Sequence, residues 1–204
     1  MKKSLMLLFV LFCLPAFLFV VDAVQYQWDD FDDWYYKRTE NYQGWKYIVI
    51  HHSATQAGSV NAFHRFHTKQ GYGGIAYHFV IGNGNGMKDG EVQETFRWEK
   101  QVAGAHVSGN SWDHNIFGIG ICLVGNLEKS PPTHAQQAAL AKLVAKLKAK
   151  YRISNEHIIG HKHVPFDDTS GRTERTSCPG KKLKLETLRA EADEQDKGLA
   201  HLHR

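Results

Sequence analysis

Two adjacent imidazoles, His51 and His52, follow directly on the apolar run Tyr47-Ile48-Val49-Ile50; a Gly160-His161 pair has a further histidine at 163, and Cys178 opens a Cys-Pro-Gly turn. These are borderline and soft donors. Two imidazoles and a thiolate that leave one position open for water are a known form of catalytic zinc centre, whereas a structural site is closed by a fourth protein ligand. Spacing does not choose between His51 and His52, or between His161 and His163, because thirteen histidines in one chain bring chance pairs together. An alternative use of the same residues is a disulfide between Cys122 and Cys178, with the histidines structural, as an exported protein permits.

The elements that must carry these donors can be read from pattern. Four consecutive aromatic or β-branched residues favour strand over helix, and a continuous apolar run suits a central strand covered on both faces. Side chains alternate along a strand, so His51 and His52 stand on opposite sides at its end, and one of them can face a cleft. Ser59 can cap a short helix carrying Val60, Phe63 and His67 and stopping at Gly71, which makes His64 and His67 helix-face histidines near the cleft. A second strand is expected over Ile75–Ile81. The glycine series after it, Gly82-Asn83-Gly84-Asn85-Gly86, lacks the spacing of a dinucleotide loop and precedes no helix, so it is read as a hairpin with a return strand over Glu91–Arg97.

A polar loop over Ser108–Asn115 then leads to an apolar strand, Gly118–Val124, whose small-large alternation suits close packing. Thr133 and Gln136 form a capping box, after Pro131-Pro132, for a helix whose residues Leu140, Leu143, Val144, Leu147 and Tyr151 make one stripe; Lys142, Lys146, Lys148 and Lys150 are its solvated face. A short strand, His157–Gly160, delivers His161. The polar loop Lys162–Ser177 delivers Cys178, and a last helix over Lys181–Ala192 uses Leu183, Leu185 and Leu188.

The N-terminus reads as an export signal: Lys2 and Lys3, an apolar run from Leu5 to Val21, and the small-x-small site Val21-Asp22-Ala23, with cleavage after Ala23. The rival is an uncleaved anchor, for which the run is short. Removal of 23 residues leaves 181 of the 204 and a formal charge of +3 instead of +4, enough chain for one domain and too little charge to argue for nucleic acid. The expected organisation is a signal peptide at 1–23, an extended Asp- and aromatic-rich arm at 24–43, one domain at 44–190 and a polar tail at 191–204.

Five blocks in order carry a resemblance: Ile48-Val49-Ile50-His51-His52-Ser53, Gly74-Ile75-Ala76-Tyr77-His78-Phe79-Val80-Ile81, Gly104-Ala105-His106, Gly118-Ile119-Gly120-Ile121-Cys122-Leu123-Val124-Gly125, and Gly160-His161 with Cys178-Pro179-Gly180. Together they resemble the zinc-dependent N-acetylmuramoyl-L-alanine amidases, the family of phage T7 lysozyme-type amidases and peptidoglycan recognition proteins, over about Gly44 to Leu188. The resemblance implies an α/β domain with a mixed central sheet flanked by helices and a zinc-containing groove. It places the zinc ligands on His51, His161 and Cys178 and the catalytic tyrosine on Tyr77, with Thr176 as its oxyanion partner, and leaves His52 and His163 beside the metal or in the cleft. His52, His106 and Asn115 are then expected to line the substrate groove, with His106 or His52 available to protonate the leaving amine.

Two positions depart from the family pattern. Thr176 stands where phage-type amidases carry lysine, and Cys122 where some relatives carry a glutamate base. The implied activity is hydrolysis of the bond between N-acetylmuramic acid and L-alanine in peptidoglycan or muropeptides; the alternative is recognition without hydrolysis. The implied protein is secreted or periplasmic, monomeric, without stable membrane association after cleavage and without a nucleic-acid partner.

Overall fold

A computed structural model describes residues 44–167 and 170–202, with side chains described to residue 197. The expected signal peptide and arm lie outside the described residues. The run at 47 forms β1 (Tyr47–His52), and both histidines belong to it. It pairs in parallel with β4 (Gly118–Leu123) on one side and β5 (Ile158–Gly160) on the other. Beyond β4 lie β2 (Phe79–Ile81), parallel to it, and β3 (Val92–Glu94), antiparallel to β2, so the mixed sheet has the order β3-β2-β4-β1-β5.

The strand alternation sorts two cores. Ile48 and Ile50 of β1, Ile119, Ile121 and Leu123 of β4, and Phe79 and Ile81 of β2 join Leu140, Val144 and Leu147 of α4 (His134–Tyr151) and Leu188 and Ala192 of α5 (Leu185–Leu202). The opposite face carries Val49 with Val107 and Val164, and Val80 with Ile75, Met87 and the apolar stripe of α1 (Val60–Lys69). Each fully buried aliphatic side chain contributes on the order of 2 kcal/mol. With both faces covered, a continuous apolar strand is what the sheet requires.

Local signals hold at several ends. Ser59 Oγ accepts from the Ala62 N–H, and α1 stops before Gly71 at φ +82°. The Thr133–Gln136 capping box is present, and Gln136 Nε2 also donates to the carbonyls of Ile81 and Val124, tying α4 to two strand ends. Of the four lysines, Lys148 is only partly exposed: its ammonium bonds to Asp193 of α5 and to Asn155. α5 starts at Leu185 and continues through the expected polar tail to Leu202; those contacts, with Gln137 on Glu191, add to the packing of Leu185, Leu188 and Ala192 in holding it to α4. No helix among the described residues is long and apolar enough to cross a membrane.

Two expected strands are shorter than their sequences suggest. β2 begins at Phe79; at the start of the expected strand side chains take the main-chain groups, the Ile75 and Ala76 N–H donating to His64 Nδ1 and His67 Nδ1 of α1. The return strand ends at Glu94, where Thr95 caps the short helix α2 (Phe96–Glu99) by accepting from the Arg97 N–H. A further short helix, α3 (Trp112–Ile116), replaces part of the expected loop before β4. Arg97 of α2 is fully buried and donates to three carbonyls, Tyr72, Ile75 and Ala103, which joins the segment before Tyr77 to the segment before His106. Replacing it with methionine keeps an unbranched apolar stem and removes every side-chain donor, so Arg97→Met should lower the unfolding free energy in urea by about 3 kcal/mol or more, the cost of several stranded carbonyls. A loss under about 1 kcal/mol would show that the guanidinium is dispensable to this fold.

Candidate metal centre

Three chain segments meet at the C-terminal end of β1. β1 itself supplies His51; β5 ends in a glycine and a short 3-10 turn, His161–His163, that supplies His161; the loop beyond returns to supply Cys178. Donor atoms of His51, His161 and Cys178 all lie within 4.8 Å of one another. Cys178 Sγ is 3.7 Å from His51 Nδ1. The return of the loop is fixed by main-chain bonds, Lys162 N–H to the Cys178 carbonyl at 2.8 Å and Glu174 N–H to the Val164 carbonyl at 2.9 Å. It also needs Gly160, since a Cβ there would lie 2.6 Å from Pro179 Cδ.

The donor set has the chemistry of a zinc ligand shell. Burial pushes the Cys178 thiol up to about 12, although the His52 N–H, 3.4 Å from Sγ, pulls the other way. Such a group ionises when a cation replaces its proton. Burial, then the neighbouring His161, His106 and other histidines, hold His51 well below the usual imidazole range; burial lowers His161 too, against the pull of Glu174. Neutral imidazoles keep their lone pairs. Two nitrogens and one sulfur, with no fourth protein donor in the cluster among the described residues, fit an open zinc site better than a closed one.

Tyr77 stands beside this cluster, its ring centroid 5.1 Å from that of His51 and 5.4 Å from that of His67. Burial first, then Cys122, raises its phenol well above the usual value, so it remains a hydrogen-bond donor. Cys122 is the β4 residue in register with His51. Burial holds its thiol protonated, so it does not act as a base in place of glutamate. Both cysteines are free, which removes the disulfide alternative. Thr176 Oγ1 accepts from the Cys178 N–H at 3.1 Å, leaving its proton available to donate.

Three residues expected to line the groove have other employment. His52 points to the opposite face, where its Nδ1 accepts from the Leu127 N–H at 3.0 Å; it meets the centre only through its main chain. Asn115 is buried, accepts from the His106 and Val107 N–H groups and donates to the Val107 carbonyl, which fixes the loop before α3 instead of meeting substrate. His106 is 5% exposed, and both ring nitrogens are engaged, Nδ1 with His51 Nε2 and Nε2 with the Gly118 carbonyl, each at 3.1 Å. It has no nitrogen left for a leaving amine. His163 lies outside the cluster, exposed beside Lys162 and Lys184.

Sequence reasoning missed Arg97 and Glu174. Glu174 Oε1 accepts from the Ser108 N–H and from the hydroxyls of Ser108 and Ser111, fastening the loop that carries Cys178 to the segment after His106. One acid in a polar loop carries no pattern that would have singled it out.

A family model described as N-acetylmuramoyl-L-alanine amidase matches residues 41–181. Peptidoglycan-recognition protein SC2 of Drosophila melanogaster is 32% identical over 191 residues, 88% of this chain and 91% of that protein. The endolysin of Klebsiella phage KP32 is 34% identical, over 65% of this chain and 85% of its own. Among solved structures, the N-acetylmuramoyl-L-alanine amidase LysC from Clostridium intestinale URNW is similar at a TM-score of 0.61 and 27% identity, covering 75% of this chain and 89% of that one.

The buried imidazoles set a pH dependence. Burial holds His78 down to about 3, and His51 and His106 also lie well below the ordinary 6.5. Between the folded and unfolded values the unfolded chain binds more protons, so this stability is complete above about pH 6.5 and is lost as pH falls toward 3. Urea unfolding of the metal-free protein should show stability falling from pH 6.5 to 5 by more than about 1.4 kcal/mol per pH unit, the slope of a single proton. A flat or rising profile would mean that these histidines are not held neutral.

Proposed function

This chain belongs to the N-acetylmuramoyl-L-alanine amidase family, and from that premise we propose a zinc-dependent hydrolase that cuts the amide between N-acetylmuramic acid and the L-alanine of the stem peptide in peptidoglycan or its fragments. The observation that carries the reading is the His51, His161, Cys178 cluster, an open set of two nitrogen donors and one sulfur at the strand end of a sheet that this family shares. A bound zinc polarises an amide carbonyl and lowers the pKa of water toward neutrality. The rest falls to the side chains. His51, His161 and Cys178 hold the ion, and the His52 N–H shares the charge on sulfur.

Tyr77, protonated and beside His51, donates a hydrogen bond to the attacked oxygen, where negative charge grows as the carbonyl becomes tetrahedral. Thr176 adds a second donor from the loop that carries Cys178. Such donors act on charge that develops only in the transition state, and each supplies about 3 kcal/mol. Recognition without hydrolysis would leave the Cys178 thiol without a purpose in this cluster. The leader at 1–23 supports export to the compartment that holds peptidoglycan, with the mature chain acting there as a monomer.

Mass spectrometry of muropeptides after digestion tests the reading. The wild type should release free stem peptides. Cys178→Ser, which exchanges a strong zinc ligand for a poor one, should release none while still binding peptidoglycan in a pull-down. Tyr77→Phe should keep the metal and slow turnover on the order of a hundredfold. Hydrolysis by Cys178→Ser at the wild-type rate would overturn the mechanism. N-terminal sequencing of the exported chain should begin at Val24, and a chain retained from Met1 would contradict export by cleavage.

A further inference from the structure

We propose that His106 is a positioning residue: it fixes His51 as the Nε2–H tautomer and so turns the Nδ1 lone pair of His51 toward Cys178 and the metal. This rests on the reading that His51 holds an ion. The main-chain carbonyl of Gly118 can only accept. His106 Nε2 lies 3.1 Å from the Gly118 oxygen, so that nitrogen carries the proton. In a neutral imidazole the other nitrogen then has a lone pair. His106 Nδ1 must therefore accept, and its partner at 3.1 Å, His51 Nε2, must donate. His51 Nδ1 is left unprotonated, and it is this atom that lies 3.7 Å from Cys178 Sγ.

The reverse arrangement fails on the same atoms. If His106 donated from Nδ1, its Nε2 lone pair would face the lone pairs of the Gly118 carbonyl in a buried site. If His106 were an imidazolium, it would place a cation against a histidine at the metal, with burial opposing the charge. The ring has no freedom to escape by turning. A Cβ on Gly104 would lie 2.3 Å from His106 Cδ2 and one on Gly120 2.5 Å away, so two glycines form the slot that grips it. The His106 N–H is held by Asn115 Oδ1 at 2.8 Å, which fixes the main chain beneath the ring. The slot, the amide and the carbonyl together specify one orientation and one tautomer.

A metal-ligating histidine is commonly oriented by the partner of its second nitrogen, and losing that partner typically costs 10–100-fold in metal affinity. A merely structural role for His106 would change stability without changing which His51 nitrogen is protonated. The first measurement is therefore on the unaltered chain: long-range 1H–15N correlation of the histidine rings in metal-free protein at neutral pH should show His51 as the Nε2–H form. The second is zinc affinity by chelator competition. His106→Phe keeps a ring in the slot without an acceptor and should bind zinc about 10–100-fold more weakly. His106→Gln offers an acceptor and a donor on one side chain and should recover most of the loss.

An Nδ1–H His51 in the unaltered chain would overturn the inference even if the phenylalanine variant failed to fold. So would a folded His106→Phe with wild-type zinc affinity. A wild-type chain that binds no zinc would instead overturn the functional reading, and this inference with it.

Discussion

A buried imidazole or guanidinium must find partners for its polar atoms within the protein, and on the cleft side of this sheet His51, His78, Arg97 and His106 are among the groups buried together. Much of the local architecture answers that demand. His78 accepts from the Gly120 N–H and donates to the Val102 carbonyl. His106 takes the Gly118 carbonyl and His51, and Arg97 takes three carbonyls from two loops. The strands are interrupted where these side chains replace ladder bonds, and glycines stand where rings must lie flat against a strand. The result is a rigid shelf in which the guanidinium spends its donors on carbonyls and the imidazoles stay neutral, which is the condition for presenting lone pairs instead of protons.

That view explains what the sequence could disclose. Elements whose stability comes from apolar periodicity or capping were legible: β1 from its β-branched run, α1 from Ser59, α4 from its stripe and capping box. The irregular start of that segment, at 75–76, was not, because its residues have strand composition, while the Ile75 and Ala76 N–H groups go to histidines of α1 and the Ile75 carbonyl to the buried Arg97. The end of α5 was hidden for the opposite reason: its polar residues have partners on α4 that no local pattern announces. The three donors were recognisable as types, and the choice of His51 over His52 came from resemblance. The alternation of β1 then accounts for it, since His52 faces α4 and the Leu127 N–H.

His106 and Asn115 show the limit of reading a motif as a site. Both stand close to the cluster in the fold and both looked available for substrate. Buried, they are committed to the chain's own polar groups. Cys122 makes the same point from the other side. Its thiol, buried in register with His51, holds its proton, so β4 offers no base at the position where some relatives carry glutamate.

The central claim is that three side chains of this chain, and no more, enclose a zinc ion with one face open. X-ray absorption at the zinc edge of the loaded protein reads the ligand shell directly. The account predicts one sulfur at about 2.3 Å and lighter scatterers at about 2.0–2.1 Å, with the imidazole signature of two histidines and one remaining oxygen. A shell without sulfur, with two sulfurs, or with a third histidine would contradict it.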